Sequence, residues 1–271
     1  MLAGIALTLP ACGSDDGSSA LSITVNEPSD GKVTMTATGT VKAGQVTVTL
    51  KNNGKVAHDA QLLRVEGKHT ADEVKQVITS EGGPIPDWVH AEGGVGAAEP
   101  GQTATATVVL TAGTYYAIDT NSDDNNKYYA DQGALKTFAV KGDAGTAAVP
   151  AADVTITAKE YSYSVPALTS GSPTVKFENA GKEIHILIAA PISAGKTIND
   201  VRAAFADQNS TAPPPIDFDK AVQIEAVDPG KAVVAKVNLT KGSYAFICFI
   251  SDRAGGPPHF TKGMLQEVKV A

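Results

Sequence analysis

Three scarce side chains that can bind a metal lie close together near the C-terminus, in the segment ICFISDRAGGPPHFTKGML (247–265). They are Cys248, His259 and Met264, in a chain that has only 2 Cys, 5 His and 3 Met. A thiolate, an imidazole and a thioether are soft or borderline ligands of the kind found at transition-metal sites. Each residue alone would be ordinary in a core or a loop. A metal site therefore requires a further ligand that the fold brings to this segment.

An internal repeat identifies that further ligand. In the alignment of the two copies, His58 corresponds to His185 and Asp119 corresponds to Cys248. Self-similarity over this length is typical of a duplicated domain. The second copy therefore places His185 on a strand that comes well before Cys248. The matching segments are LKNNGKVAHDAQLL (50–63) with FENAGKEIHILIAA (177–190), and EPGQTATATVVLTAGTYYAID (99–119) with DPGKAVVAKVNLTKGSYAFIC (228–248).

Both copies are strand-like. LSITV and QVTVTL in the first copy, and VTITA and TVKF in the second, alternate in polarity or are rich in β-branched residues. One helix follows each His-bearing strand, because Thr70-Ala-Asp-Glu73 and Thr197-Ile-Asn-Asp200 resemble capping boxes. We expect an all-β protein of two tandem β-sandwiches, each with a short helical insertion. The expected divisions are an N-terminal signal and spacer (1–20), a first domain (21–141), a Gly/Ala/Pro-rich linker (142–152) and a second domain (153–271).

Length and charge narrow the classes of function. The chain has 271 residues and is 42% hydrophobic, which suits two domains with real cores. Its formal net charge is −7, and Lys and Arg form no run, so we expect no nucleic-acid partner. No apolar stretch is long enough for a membrane-spanning helix. The sequence also has no GxSxG, HExxH or CxxC motif, which argues against the common hydrolase and redox sites.

The first twelve residues, MLAGIALTLPAC, are apolar and are followed by the polar spacer GSDDGSS. Leu9-Pro10-Ala11-Cys12 resembles the lipobox of bacterial lipoproteins, which implies that Cys12 is lipidated and anchors the exported protein to a membrane. A plain secretory signal with an incidental cysteine is the alternative, and it also implies export. A lipidated Cys12 would leave Cys248 without any disulfide partner.

The second copy resembles the cupredoxins, the blue-copper proteins of the plastocyanin, azurin and pseudoazurin kind. The matching pieces are NAGKEIH, PGKAVVAKVNLTKGSYAFIC and HFTKGM. The resemblance implies a Greek-key β-sandwich with one type 1 copper ion, whose ligands would be His185, Cys248, His259 and Met264. The ten residues between Cys248 and His259 exceed the span in the smallest cupredoxins.

The first copy lacks this ligand set. Asp119 stands at the position of the cysteine, Tyr129 near that of the second histidine and Ala134 at that of the methionine. Without the thiolate and the thioether, the first copy lacks the soft ligands that make a site selective for copper. We expect a cupredoxin-like domain without type 1 copper, in which His58 is structural. Binding of a harder metal by His58 and Asp119 is the alternative.

The leading function is one-electron transfer by an extracytoplasmic, membrane-anchored copper protein with an unidentified redox partner. Copper nitrite reductases and small laccases also have two cupredoxin domains, but there a histidine next to the Cys ligand leads to a second copper site. Here the neighbours of Cys248 are Ile247 and Phe249, and three remaining histidines are too few for a trinuclear cluster in one chain. We therefore expect no enzyme. The alternatives are a module that stores copper or exchanges it with a donor protein, a two-domain oxidase or nitrite reductase, and a structural module with a vestigial site.

Overall fold

The computed structural model describes residues 19–29, 31–80, 82–207 and 212–271. Cys12, the expected lipidation site, lies outside these residues. Across the described ranges, no helix is both long and apolar enough to cross a membrane.

The described residues of the first copy form nine strands and two helices. Side chains on β4 alternate between the core and a half-exposed face, so that Val46, Val48 and Leu50 all point inward. The elements are β1 (Ser19–Ser29), β2 (Lys32–Thr38), β3 (Val41–Lys42), β4 (Gly44–Asn52), β5 (His58–Val65), α1 (Ala71–Thr79), β6 (Val89–Ala98), β7 (Thr103–Leu110), β8 (Gly113–Ile118), α2 (Tyr129–Gln132) and β9 (Leu135–Lys141).

Among the described residues of the second copy, eight strands and one α-helix follow a similar order. Its strands and helix are β10 (Val154–Lys159), β11 (Ser162–Ser164), β12 (Thr174–Asn179), β13 (His185–Pro191), α3 (Ile198–Ala206), β14 (Val222–Val227), β15 (Ala232–Lys236), β16 (Gly242–Ile247) and β17 (Leu265–Val270). Two short 3-10 turns span Phe218–Lys220 and His259–Lys262.

Both helical insertions follow the His-bearing strand, as the sequence predicts. The Thr70 side chain accepts the amide of Glu73, whose carboxylate accepts the amide of Thr70 in return. Thr197 and Asp200 make the same reciprocal pair at the start of α3. These capping boxes satisfy amides that the first helical turn leaves unpaired. Both predicted helix starts are therefore confirmed.

The strands form two packed sheets, and successive connections cross between them in a Greek-key arrangement. One sheet has the order β11-β10-β12-β15-β7-β4-β1-β2, and the other has the order β17-β16-β13-β14-β6-β5-β8-β9-β3. In each copy the first long strand pairs in parallel with a later one, β1 with β4 and β10 with β12. The prediction of an all-β, cupredoxin-type fold is confirmed.

Each sheet runs through both copies without a break. β7 pairs with β15 in an antiparallel register that sets Val108 opposite Val233, and β6 meets β14 at Glu92 and Val227. The buried Gln61 adds two bonds across the second junction: its amide nitrogen donates to the Ala226 carbonyl at 3.0 Å, and its oxygen accepts the Ala226 amide at 2.8 Å. Backbone and side-chain hydrogen bonds therefore join the two sandwiches, a continuity that the sequence does not predict.

The main core lies between the sheets and reaches the second-copy histidine strand. Leu50 and Leu62 are fully buried in the first copy, and Phe177, Leu187 and Phe246 are buried to within 1% in the second. Such close packing holds neighbouring side chains in single rotamers and excludes water. The residues at the end of β16 therefore lie in a rigid, dry environment.

Candidate metal centre

Three of the four predicted ligands converge at one end of the second sandwich. His185 Nδ1 lies 3.2 Å from His259 Nδ1, and Cys248 Sγ lies 3.5 Å from His259 Nδ1 and 4.0 Å from His185 Nδ1. All three side chains are 0% exposed. Among the residues that the structure describes, they form the only group of at least three His, Cys, Asp or Glu side chains with ligand atoms within 4.8 Å of one another.

Short backbone hydrogen bonds tie the cysteine, histidine and methionine of the C-terminal segment together. The Cys248 amide donates to the Met264 carbonyl at 3.1 Å, and the Met264 amide donates to the His259 carbonyl at 3.0 Å. The Phe260 amide in turn donates to the Cys248 carbonyl at 2.9 Å. Met264 is itself 0% exposed. The loop therefore fixes these positions before any ion binds.

A buried asparagine positions His185 at the start of β13. Asn179 Nδ2 donates to the carbonyls of Glu183 and Val227 at 2.7 and 2.8 Å, and its Oδ1 accepts the Gly181 amide. Asn52 makes the equivalent three bonds before His58 in the first copy. The Asn-x-Gly pattern in both copies signals a turn, but the sequence does not show that this asparagine clamps the neighbouring strand.

Each ligand histidine has a carboxylate at its far ring nitrogen. His185 Nε2 lies 3.3 Å from Glu160 Oε1, and His259 Nε2 lies 3.0 Å from Asp252 Oδ1. A proton on Nε2 leaves the Nδ1 lone pair free to face the thiol, so these contacts select the tautomer that a metal needs. Sequence reasoning missed both carboxylates, because Glu160 comes from a distant turn and Asp252 is one of several polar loop residues.

Both carboxylates are ionised at neutral pH. Burial would raise the pKa of Glu160, but the amides of Glu183 and Lys182 outweigh it and lower that pKa to about 2. A hydrogen bond from Lys262, joined by one from Tyr161, lowers the pKa of Asp252 to about 2 despite partial burial. Charged acceptors make stronger hydrogen bonds to the imidazole N–H groups than neutral ones would.

Burial sets the protonation of the three ligand atoms in the absence of a cation. It raises the pKa of the Cys248 thiol to about 11. The amides of Ile186 and Ile250 favour the thiolate, but they do not outweigh burial. It also lowers the pKa of His185 to about 4, with help from the neighbouring His259, and lowers the pKa of His259. The site is therefore a neutral thiol beside two neutral imidazoles, and a bound cation would replace the thiol proton.

The donor set fits one type 1 copper ion. With bond lengths of roughly 2.0 Å to imidazole and 2.3 Å to thiolate, a trigonal ion separates its ligand atoms by about 3.5 to 3.7 Å. The observed separations of 3.2 to 4.0 Å bracket these values. Two imidazoles and one thiolate with a nearby thioether are the ligands of blue-copper sites. His185, Cys248 and His259 would hold the ion, and Met264 would add a weaker thioether ligand.

Neutralising either outer carboxylate should weaken copper binding. We expect Glu160→Gln and Asp252→Asn each to lower the Cu(I) affinity by about 10- to 100-fold, because the ligand imidazole loses the charged partner that orients it and raises its basicity. Competition with a Cu(I) chelator measures the change. Glu178→Gln, on the surface beside Lys176, is the matched control and should leave the affinity unchanged. Equal Cu(I) affinities for the unaltered protein, the two carboxylate variants and the control would contradict the role assigned to Glu160 and Asp252.

The corresponding site of the first copy is occupied by an ion pair. His58 Nδ1 lies 2.5 Å from Asp119 Oδ2, and His58 Nε2 lies 2.9 Å from Glu27 Oε1. Burial lowers the pKa of His58, but the two carboxylates outweigh it and raise the pKa overall. Tyr129 stacks edge-on against this ring at 4.8 Å between centroids, as His259 does against His185 at 4.9 Å. The sequence alignment of the two copies is therefore right, and both nitrogens of His58 serve a structural ion pair.

The long span between Cys248 and His259 contacts the first copy. The Ile85 amide donates to the Arg253 carbonyl at 2.8 Å, and the Gly256 amide donates to the Gly82 carbonyl at 3.0 Å. Arg253 also donates to the carbonyls of Pro86 and Val89, both at 3.1 Å. The loop between Cys248 and His259 therefore forms a contact between the two copies.

Removing the Arg253 guanidinium should loosen this contact. It forms a two-bond pair with Asp228, at 2.9 and 3.0 Å, besides its two bonds to the first copy. We expect Arg253→Ala to lower the free energy of unfolding by about 2 to 3 kcal/mol, since two carbonyls lose a donor and Asp228 keeps only His90 and the Ala91 amide. Arg253→Lys should recover little, because an ammonium cannot reproduce the planar fork.

Urea unfolding measures the stability, and hydrogen exchange at the Ile85 and Gly256 amides reports on the loop. Arg202→Ala, which removes an arginine from α3, is the control and should leave exchange at those two amides unchanged. Unaltered exchange in Arg253→Ala would show that the guanidinium does not hold the loop.

The expectation that no histidine adjoins the Cys ligand needs a correction. The covalent neighbours of Cys248 are Ile247 and Phe249, as stated from the sequence. In space, however, two imidazoles lie directly against the thiol. These are His185 and His259, members of the same site. The residues next to Cys248 in sequence are therefore not the ones that surround its sulfur in the folded protein.

Similar solved structures include copper proteins of two sizes. A multicopper oxidase is 15% identical with a TM-score of 0.26, and the match covers 99% of this chain and 93% of that one. Auracyanin A, a "blue" copper protein from Chloroflexus aurantiacus, is 20% identical with a TM-score of 0.28, covering 45% and 99%. An auracyanin from Roseiflexus castenholzii is 18% identical with a TM-score of 0.28, covering 43% and 94%.

No protein-family model and no curated protein matches the sequence. The TM-scores of these similar structures lie below 0.5. The assignment of the fold therefore rests on the strand order of this chain and on its repeated His-bearing turn.

Proposed function

We propose that this protein carries single electrons through one type 1 copper ion in its second copy. The observation that carries the proposal is the buried triangle of one thiol and two imidazole Nδ1 atoms, closed to 3.2–4.0 Å. Bound copper would supply a one-electron couple between Cu(I) and Cu(II). The role of the protein is then to hold the ligands in a geometry that both oxidation states accept.

The rigidity of the ligand loop supports electron transfer. Backbone hydrogen bonds join Cys248, His259 and Met264, and Asn179 clamps the strand that bears His185. A ligand set fixed by such contacts changes little when its charge changes by one electron. Amides from Ile186 and Ile250 point at the sulfur and would stabilise the thiolate and tune the potential.

The same arrangement favours a carrier over an enzyme. The three histidines outside the site have other contacts: His58 is held by two carboxylates, His69 stacks on Trp88 at 3.7 Å, and His90 pairs with Asp228. They are spread over the first copy, so they favour no second copper centre within this chain. Oxidase or nitrite reductase chemistry is therefore the less favoured assignment.

The N-terminal sequence supports a location outside the cytoplasm. Lipidation of Cys12 would tether the chain to the outer face of a membrane, with the polar spacer GSDDGSS before the first strand. The redox partner, or a protein that donates copper, would then be extracytoplasmic as well. The first copy, proposed as residues 21–141, would serve as a support for the ligand loop of the second, proposed as residues 153–271.

Reconstitution with one equivalent of Cu(II) tests the proposal. An intense visible charge-transfer band, with a reversible one-electron wave in voltammetry, is the result expected of a type 1 carrier. A colourless Cu(II) form with tight Cu(I) binding would favour copper storage or delivery instead. Absence of stoichiometric copper binding would contradict both functions and leave a structural role.

A further inference from the structure

A cavity of about 740 Å³ lies between the two copies. Its volume is within the range of small-molecule sites in proteins, which lie preferentially at domain junctions. The first copy contributes Leu63 and Ile85, and the second contributes Ile186, Phe249 and Phe260. The walls are thus mainly apolar, and both copies are needed to form them.

One oxygen of an acidic side chain on the cavity wall lacks a hydrogen-bond partner among the described residues. Glu225, on β14, is 0% exposed, and its Oε1 accepts a 2.8 Å hydrogen bond from Gln223 Nε2. Its other oxygen, Oε2, is buried and has no hydrogen-bond partner in the part of the chain that the structure describes. Buried polar atoms in native proteins are nearly always hydrogen-bonded, so an unpaired one in a cavity wall points to a missing ligand.

The surroundings of Glu225 favour the neutral acid. Burial raises its pKa well above the ordinary value, and the nearby Asp59 and Asp119 raise it further. The hydrogen bond from Gln223 lowers this pKa, but it does not outweigh burial and the two neighbouring carboxyl groups. A neutral carboxyl group can place its hydrogen on Oε2 and so provide a donor at the cavity wall, which Glu225 helps to line.

We propose that this cavity binds a neutral, largely apolar small molecule whose carbonyl oxygen accepts a hydrogen bond from Glu225. The apolar walls would bury the body of the ligand, and the carboxyl group would fix its orientation. An amine would require an ionised Glu225, which its buried and acidic surroundings disfavour. None of the four predicted copper ligands lines the cavity, although Ile186, Phe249 and Phe260 each adjoin one of them in sequence.

A matched series of two-ring probes separates the possible ligand classes. 1-Indanone, indane and 1-aminoindane share one hydrocarbon body and carry a ketone, no polar group and a cationic amine respectively. Titration calorimetry on the full chain should show 1-indanone binding at least about fivefold more tightly than indane, as one hydrogen bond to a buried donor predicts. Equal affinities, a preference for the amine, or no binding of 1-indanone would overturn the proposal.

Variants at the cavity wall locate the effect. Glu225→Leu should bring the ratio of 1-indanone to indane affinities close to one, whereas Glu225→Gln keeps an N–H donor and should retain part of the preference. Ala226→Phe should block both probes by filling the cavity. A preference that survives in Glu225→Leu, or unchanged binding in Ala226→Phe, would contradict the assignment. Far-UV circular dichroism establishes that each variant is folded.

Discussion

Cys248→Ser is expected to abolish the visible absorption of the copper-loaded protein and to weaken Cu(I) binding by roughly a thousandfold or more. The band requires a thiolate bonded to Cu(II), and a hydroxyl supplies neither the soft donor nor the charge. Cys248 Sγ is within 4.0 Å of both ligand nitrogens, so no other described side chain replaces it at the centre of the site. Absorption spectroscopy and chelator competition measure the two effects.

The chain provides a matched control for this change. Cys12→Ser removes the only other cysteine, which lies in the N-terminal signal-like segment, and should leave both the band and the affinity unchanged. A blue band that survives in Cys248→Ser would show that copper binds elsewhere. Loss of the band in Cys12→Ser would contradict the assignment of the thiolate to Cys248.

Stability is expected to fall as the pH rises from 5.5 to 7.5, with Asp59 as a main cause. Burial, and next the charge of Asp119, raise the pKa of Asp59 to about 8, compared with about 3.9 in an unfolded chain. Between these values the folded state holds a proton that the unfolded state has lost. Each pH unit in this window therefore removes stability, up to about 1.4 kcal/mol for one such group.

His58 acts in the same direction. Its pKa is raised in the folded state, so its contribution is complete below about pH 6.5 and is lost as the pH rises through the folded value. Glu160 and Asp252 have lowered pKa values, and the stability they contribute is lost only as the pH falls below about 4. His185 and His259 oppose the fall up to about pH 6.5, because their lowered pKa values leave the folded state with fewer bound protons than the unfolded chain. The loss of stability should therefore be steepest above that pH.

Asp59→Asn tests this account, because asparagine is a permanently neutral analogue of the protonated acid. Between pH 5.5 and 7.5, we expect the variant to lose about 2 kcal/mol less stability than the unaltered protein. Urea unfolding of the copper-free protein at each pH gives the values. Asp124→Asn, at an exposed position, controls for loss of one negative charge. Identical pH dependence in both variants would show that Asp59 does not hold the proton.

The regular parts of the fold could be predicted because their signals are local. The alternation of polar and apolar residues in segments such as QVTVTL reflects a core that lies between two packed sheets. Capping boxes at Thr70 and Thr197 mark helix starts. The four ligands were predicted because their residue types are rare in this chain and keep a recognisable order. Three of them, His185, Cys248 and His259, are in mutual contact, and the metal-binding role of all four stays a prediction.

The remaining features depend on contacts between distant parts of the chain. Glu160 reaches His185 from a turn 25 residues earlier, and Arg253 reaches carbonyls more than 160 residues away. Pairing of β7 with β15 sets Val108 opposite Val233, which lies 125 residues later in the sequence. Neither the periodicity nor the composition of the sequence shows which distant residue a side chain will contact or which strand a sheet edge will pair with.

Shared sheets and the docked ligand loop make the two copies one thermodynamic unit. An ion that binds only the folded state stabilises everything that must unfold with its site. Because β7 and β15 are bonded and the Arg253 carbonyl holds the Ile85 amide, the first copy cannot separate without disturbing the loop. Copper bound in the second copy would therefore raise the melting temperature of the first, which has no such ligand set. The copy without the copper ligands would thus still be stabilised against heat by the bound metal.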